Sequence, residues 1–592
     1  MIFNVILYLS HFTLGLTTCV GPSGLVSKET SNGGCSWDYV RYGKLDDSAI
    51  AGVTSKLNIK VPLGGFAPSL VFDGFEHIVS KHASDSSVRC LQMQDNTNFP
   101  GGEKVLRGQE DCFSLNIRAP ENSKDLPVVV FIHGGMYQVG AADDWAYEAK
   151  HLAVNGKLVV VVINYRVGVY GFLGLDERTY NNGVHDQRRA LEWVKENIQS
   201  FGGNPNNIRI FGESAGATSV VIQALYDATT EDPIIKGAIS QSNPLGISLY
   251  NAEEKKEMFN EVSYKDTRSS ENVFGQDTMH PIQCIETDDI SHCNGDKCSA
   301  YDSLYCTSVR ISKSNEDHIH FMKRASATTS TWKVEKIHMI TNLYGFGPTV
   351  DGVFIQEQPM KIMNTITIPF IQGTNREEGF YFPDIISEAV GGVNPGKVLL
   401  FNVAYGGTGV LKHPLLKYYE DNEIDGKDLD AFQALGASFT DYMFYCPMRL
   451  QETMTSGQVL RYQIQAEDAC TAPSKAPYDC DSRSPICITR SCHANEVPVV
   501  FGTWAEPGSC CEESAQSENY TKTIQGDWIK FFNGELPWSP EDVKIYKSDG
   551  TTDVNKQQTH SLFDNRDGVE LCDYFKDNYP AYKHSTSFST EL

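Results

Sequence analysis

The 592-residue chain is short of basic residues: 50 Lys and Arg stand against 75 Asp and Glu, a formal net charge of −25. A phosphate-binding face needs a Lys/Arg excess, so nucleic acid is excluded as a partner. The acidity suits a soluble protein and at most biases it toward cationic or neutral partners. Long apolar runs are equally scarce. Beyond the N-terminus no stretch approaches membrane-spanning length, and the C-terminus has no hydrophobic tail of the kind a lipid-anchor signal requires, so no integral membrane anchor is expected. No Pro- or Ser-rich run, charge block or internal repeat marks a linker. One large domain over 19–592 with insertions therefore fits better than a string of small ones. Cysteine pairs at zinc-ligand C-x2-C spacing are also missing, which disfavours a metal site.

What is present begins with a mostly apolar stretch from Ile2 to about Leu16, followed by small residues at Thr17, Thr18 and Cys19. It reads as a secretory signal over 1–18, cleaved near 18–24, although its first residues carry no Lys or Arg. The 16 cysteines suit an oxidising compartment. Cys90 and Cys112 stand apart; Cys284, Cys293, Cys298 and Cys306 cluster, as do Cys470, Cys480, Cys487 and Cys492, and Cys510 and Cys511 are adjacent. Disulfides are the expected reading of these groups. Asn519-Tyr520-Thr521 is a glycosylation sequon and implies an exposed loop if used.

Val128–Ile132, Leu158–Asn164, Ile208–Phe211, Lys236–Ser240 and Ile368–Gly373 read as short buried parallel strands. Asp186–Gln199 has helical period. Strand and helix alternate, which predicts an α/β protein with a mostly parallel sheet covered on both faces. The pattern fails over 266–326 and again over about 466–525, two cysteine-rich segments read as insertions.

Asn207–Ala217 carries the most specific local signal: an apolar strand, then Gly212-Glu213-Ser214-Ala215-Gly216, then a helix-like run to about Tyr226. A G-x-S-x-G element in that context presents a nucleophilic serine on a sharp turn, with the Ala215 N–H at a helix N-terminus facing the reacting carbonyl. A serine hydroxyl needs a base, the base needs an orienting carboxylate, and the oxyanion needs donors. Glu377 and Glu378, in Gly373–Gly379, follow a strand and remain rivals for the carboxylate. His493 lies in a polar loop before an apolar run, a setting that His280, His292, His318, His320, His338, His413, His560 and His584 lack. The turn Ile132-His133-Gly134-Gly135-Met136-Tyr137 follows an earlier strand and can offer backbone donors.

At these residues the chain resembles the type-B carboxylesterase/lipase family, which includes cholinesterases. The matching pieces are Glu110–Ile117, His133-Gly-Gly, Asn164–Gly168, Gly171–Gly174, Asp186-Gln187, Phe201–Pro205, Phe211–Ala217, Pro348–Gly352, Asn375–Gly379 and Cys492–Gly502. The resemblance implies an α/β-hydrolase fold and a serine carboxylic-ester hydrolase that forms an acyl-enzyme, needs no cofactor and takes a small-molecule or lipid ester. By position it selects Ser214, Glu378 and His493 as the triad and Gly135, Met136 and Ala215 as the oxyanion hole. It puts Gly134, Glu213, Tyr381 and Phe382 at the substrate pocket. It also implies Cys90–Cys112 and Cys446–Cys572 bridges.

Four departures from the family qualify this. Met136 replaces the third glycine of the usual glycine turn, and Ala494 replaces the glycine after the histidine. The family's N-terminal pattern is not recognisable before Cys90, which leaves the edge strands open. No Trp lies between Cys90 and Cys112, where cholinesterases hold the quaternary ammonium, so efficient choline-ester turnover is not expected. Alternatives are a lipase on water-insoluble esters and a non-catalytic adhesion protein, against which the complete triad counts. Secretion or a vesicle lumen is the expected location; the terminal Ser589-Thr-Glu-Leu592 also resembles an ER-retrieval signal.

Overall fold

The computed structural model describes residues 104–172, 180–255, 347–382, 427–451, 459–466, 490–505, 515–555 and 568–578, with shorter stretches at 27–29, 33–45, 69–72, 74–80, 87–95 and 414–419 and a few isolated positions. The apolar segment 1–18, the cysteine-rich segment 266–326, residues 467–489 and 506–514 of the second such segment, the eight other downstream histidines and Ser589–Leu592 lie outside the described residues.

Eleven strands among the described residues form one sheet. In chain order they are β1 Lys28–Glu29, β2 Gly34–Arg41, β3 Ser114–Pro120, β4 Leu126–Ile132, β5 Val159–Ile163, β6 Gly203–Glu213, β7 Ile235–Gln241, β8 Phe370–Asn375, β9 Val459–Gln465, β10 Val543–Lys547 and β11 Thr552–Asn555. Their order across the sheet is β1-β2-β3-β5-β4-β6-β7-β8-β9-β10-β11. Every neighbouring pair from β5 to β10 is parallel; β1, β2 and β3 at one edge and β11 at the other run antiparallel.

The β-branched runs explain the centre. Val128, Val130 and Ile132 of β4 and Val159, Val161 and Ile163 of β5 join one core, while Val129, Phe131, Val160 and Val162 join the other. With side chains alternating and both faces apolar, these strands must be covered twice. Helices α2 (Asn182–Asn197) and α3 (Ala215–Asp227) supply Leu191, Trp193 and Val220 to the first face. On the second, α1 (Lys150–Gly156) supplies Leu152, α6 (Val497–Phe501) supplies Val499, and α7 (Ala515–Phe532) supplies Trp528 and Phe531. Between α1 and α2 runs the motif Asn164-Tyr165-Arg166, whose arginine forms a two-bond ion pair at 2.7 Å with the buried Asp186 of α2. Ser69 donates to the same carboxylate at 2.6 Å, so the buried pair keeps its polar atoms satisfied.

The edge before Cys90, which the sequence left open, is β1 and β2, held by a Cys19–Cys35 disulfide. The sequon does not sit in a loop. Asn519, Tyr520 and Thr521 belong to the first turns of α7, with Asn519 exposed and Tyr520 buried against the sheet, because the helix's apolar stripe runs through Tyr520, Ile524 and Trp528. Val497–Phe501 is likewise a short helix, opened by Pro498.

Two further disulfides close long segments: Cys90–Cys112, and Cys446–Cys572, which ties α5 (Cys446–Gln451) to α8 (Gly568–Asn578) across 126 residues. A Cys446→Ala, Cys572→Ala double variant is expected to lose roughly 2–5 kcal/mol of stability. The drop in urea midpoint against the parent, both without reductant, measures it.

Candidate active site

The turn between β6 and α3 holds Ser214 at φ 58°, ψ −125°, a strained backbone for a residue with a β-carbon. Its neighbours explain how it is held. A β-carbon at Gly216 would lie 2.0 Å from Ile132 O and 2.7 Å from His133 O, and one at Gly212 would lie 2.6 Å from Gly216 O. The two glycines therefore let α3 press against the end of β4. The Ser214 N–H donates to Gln241 O at 3.0 Å, fixing the turn to β7.

Glu378 follows β8 and His493 precedes α6, each at the C-terminal end of the sheet where Ser214 also lies. His493 Nε2 is 2.8 Å from Ser214 Oγ and its Nδ1 is 2.6 Å from Glu378 Oε2. With the proton on Nδ1 donated to the carboxylate, Nε2 is left to accept from the serine hydroxyl. Glu378 Oε1 accepts from the Asn375 N–H at 2.7 Å. Glu377 turns away: its carboxylate accepts from the Ser491 N–H at 3.1 Å and its own N–H donates to Ser491 O at 3.0 Å. It ties down the histidine's loop instead of facing the ring.

Two more carboxylates surround the imidazole. Glu213 Oε1 is 3.3 Å from His493 Nε2. Glu496, three residues after the histidine, is fully buried and accepts from Asn375 Nδ2 at 2.7 Å, Ser242 Oγ at 3.2 Å and Gln241 Nε2 at 3.3 Å. Burial pushes the Glu213 carboxyl upward; the imidazole opposes this, and Glu496 and Glu378 add to it. Burial disfavours the charged form of His493, but Glu213, Glu378 and Glu496 together outweigh it, so its pKa is raised above the ordinary 6.5.

The turn after β4 lies against the serine. A β-carbon on Gly134 would be 2.8 Å from Glu213 O and 3.0 Å from Ser214 Cβ. Gly135 has φ 103° and Met136 φ 56°, so the residue replacing glycine sits in the left-handed region that glycine would occupy more cheaply. Among the described residues, the N–H groups of Gly135, Met136 and Ala215 meet no protein acceptor. The imidazole also contacts rings of Phe444 at 5.0 Å, Phe382 at 5.4 Å and Tyr381 at 6.2 Å. Phe444 comes from a π-helical turn, Thr440–Tyr445, between α4 (Ala431–Phe439) and α5. Nothing local in the sequence pointed to it. Glu496 was within reach of a pattern, since it stands three residues after the histidine, but its spacing alone assigned it no role.

The profile of the carboxylesterase family matches residues 73–294 and 296–565. The chain belongs to the carboxylesterase family. It is 30% identical over 407 residues to human bile salt-activated lipase, covering 64% of this chain and 46% of that protein. It is 27% identical to the para-nitrobenzyl esterase of Bacillus subtilis (strain 168), covering 75% and 78%. A Danio rerio acetylcholinesterase is 32% identical over 318 residues, 51% and 43%. The match thus spans about half the length of the bile salt-activated lipases. A solved PNB esterase superposes with a TM-score of 0.56 at 24% identity, over 89% of this chain and 94% of that one. The fold is that of the α/β-hydrolases.

Replacing Glu213 by Gln removes the largest contribution that holds the proton on His493. The imidazole NMR resonance of the variant is expected to titrate at lower pH than that of the parent.

Proposed function

We propose that the chain is a serine carboxylic-ester hydrolase with Ser214 as nucleophile, His493 as base and Glu378 as its orienting carboxylate. Its chief support is one observation: an unbroken line of 2.8 Å and 2.6 Å contacts from Ser214 through His493 to Glu378. Among the described residues, the N–H groups of Gly135, Met136 and Ala215 beside it meet no protein acceptor.

In this mechanism Ser214 Oγ attacks the ester carbonyl while His493 Nε2 takes its proton. The carbonyl electrons move onto oxygen, and the N–H groups of Gly135, Met136 and Ala215 receive that charge. The tetrahedral species collapses as His493 gives its proton to the leaving alcohol. Water, deprotonated by His493, then attacks the acyl-serine; collapse releases the acid and returns the proton to Ser214. Glu378 holds the imidazole in the Nδ1–H form and balances the imidazolium. Tyr381, Phe382 and Phe444 shield the ring from water, which strengthens each charge interaction in the site.

The substrate is a small-molecule or lipid ester. The likeness to bile salt-activated lipase favours acyl chains that carry appreciable apolar surface. The segment from Cys90 to Cys112 has no Trp, so choline esters are poor substrates. Three disulfides among the described residues suit an oxidising compartment, and secretory-pathway residence is part of the proposal, with the N-terminal apolar segment as its signal.

Ser214→Ala is expected to lower kcat for a short-chain p-nitrophenyl ester by at least about 10⁴-fold with its melting temperature preserved. Undiminished turnover in that variant sinks the proposal. In the parent, kcat/KM is expected to rise with pH through a midpoint above 6.5, because the raised pKa of His493 keeps it protonated, and unable to act as a base, until higher pH. A pH series in constant-ionic-strength buffer checks it.

A further inference from the structure

The oxyanion turn is tied to a distant loop through one buried side chain. Gln92 is completely buried, two residues past Cys90. Its amide closes a two-bond ring on the backbone of Gly140: the Gly140 N–H donates to Gln92 Oε1 at 2.9 Å, and Gln92 Nε2 donates to Gly140 O at 3.0 Å. Gln92 Nε2 also donates to Cys90 O at 3.0 Å. The other end of the disulfide loop is seated against the same strand of chain, since Gln109 N–H donates to Arg89 O at 2.9 Å and a β-carbon on Gly108 would lie 2.5 Å from Cys90 O. The Cys90–Cys112 loop thus presents Gln92 from a fixed base.

Gly140 in turn sits against His133. A β-carbon there would be 2.4 Å from His133 Nδ1, so the glycine and the imidazole share one tight space. The ring is fully buried and stacked on Tyr165 at 4.3 Å, and the Tyr165 hydroxyl donates to His133 O at 2.8 Å. Its Nδ1 is 2.8 Å from Gly134 O, and because a carbonyl only accepts, Nδ1 carries the proton. The C=O of Gly134 and the N–H of Gly135 belong to one planar peptide and point in opposite directions. A bond that pins this C=O toward His133 fixes the N–H on the other side. Without it the peptide is free to flip, since Gly134 and Gly135 are the two residues least able to resist rotation.

We propose that Gln92 is a positioning residue for ester hydrolysis, holding Gly140 and through it His133 so that the Gly134–Gly135 peptide presents its N–H to the developing oxyanion. This rests on the ester-hydrolase reading of Ser214. Gln92 touches no reacting atom; its effect falls on transition-state charge and not on ground-state binding.

The test compares the parent with Gln92→Ala, the isosteric Gln92→Glu and, as a control in the same loop, Gln109→Ala, which removes a 2.7 Å bond to Asp111 O. The readouts are kcat and KM on a short-chain p-nitrophenyl ester, the inhibition constant of an aliphatic trifluoromethyl ketone, whose adduct places an alkoxide in the oxyanion hole, and the melting temperature. Displacement of one donor predicts a roughly 10- to 100-fold fall in kcat for both Gln92 variants. The ketone is expected to weaken by a similar factor, with KM changed less than about twofold. Gln92→Glu fills the same space; as a carboxylate it donates to neither Gly140 O nor Cys90 O, and as a neutral acid it keeps only one of the two bonds, so it reports the lost bonding even where Gln92→Ala fails to fold. Gln109→Ala is expected to match the parent. Gln92 variants with parental kcat and ketone affinity, or a loss shared equally by Gln109→Ala, overturn the proposal. An inactive parent overturns the ester-hydrolase reading itself and this inference with it.

Discussion

The structure depends on one steric constraint, the contact of α3 with the end of β4 at Gly216. Its missing β-carbon would stand 2.0 Å from Ile132 O. Any side chain there pushes helix from strand, and three things move together. Ser214 loses the turn that strains it outward, Ala215 N–H leaves its place at the helix start, and Gly134 loses its seat against Ser214 Cβ. Close-packed interiors transmit such a displacement instead of absorbing it. Ser214, the Ala215 N–H and the turn at Gly134, the proposed nucleophile with one proposed oxyanion donor and the start of the turn that carries the others, are consequently one rigid object, built where two backbones touch.

Around that object the main problem is charge. Three carboxylates, Glu213, Glu378 and Glu496, surround one imidazole, and all four groups are buried. Only Glu378 has a short bond to the ring. Glu496, whose carboxyl burial pushes upward, is hydrogen-bonded by Asn375, Ser242 and Gln241, which belong to β8, to the residue after β7 and to β7 itself. The Asn375 side chain also donates to Cys492 O at 2.8 Å, so the same amide that satisfies the buried acid holds the histidine's loop. A network of this kind is costly when half made and rigid when complete.

The parts of the fold that could be read in the sequence were those whose cause is local. The β-branched runs of β4 and β5 and the glycines around Ser214 state their geometry within a few residues. Strand β9, in contrast, mixes polar and apolar residues (Val459–Gln465) and becomes a strand because β8 and β10 flank it. The sequon at Asn519 implied an exposed loop if used, yet the stripe through Tyr520, Ile524 and Trp528 makes the segment a helix. Glu377 and Glu378 could not be separated by spacing, since neighbours one residue apart face different ways only once Ser491 and His493 are in place. Phe444 and Gln92 carry no local mark at all; a π-helical turn brings the first against His493, and the Cys90–Cys112 loop brings the second against Gly140.

Ser214 and His493 are 279 positions apart, and Glu378 and His493 are 115 apart. Contacts of such span form late, because the chain must close long loops before any of them gains. A ribosome that has delivered β6 and α3 has made the serine but not its proposed base, and the serine hydroxyl at that stage is as inert as any alcohol. The reactive line is assembled by tertiary closure over the last third of the chain, after the cysteines of the Cys90–Cys112 pair have long since emerged. With the roles proposed for Ser214, His493 and Glu378, assembly order works as a safety catch: the cell carries an unarmed nucleophile through synthesis, and arming coincides with the completion of the sheet that also walls it in.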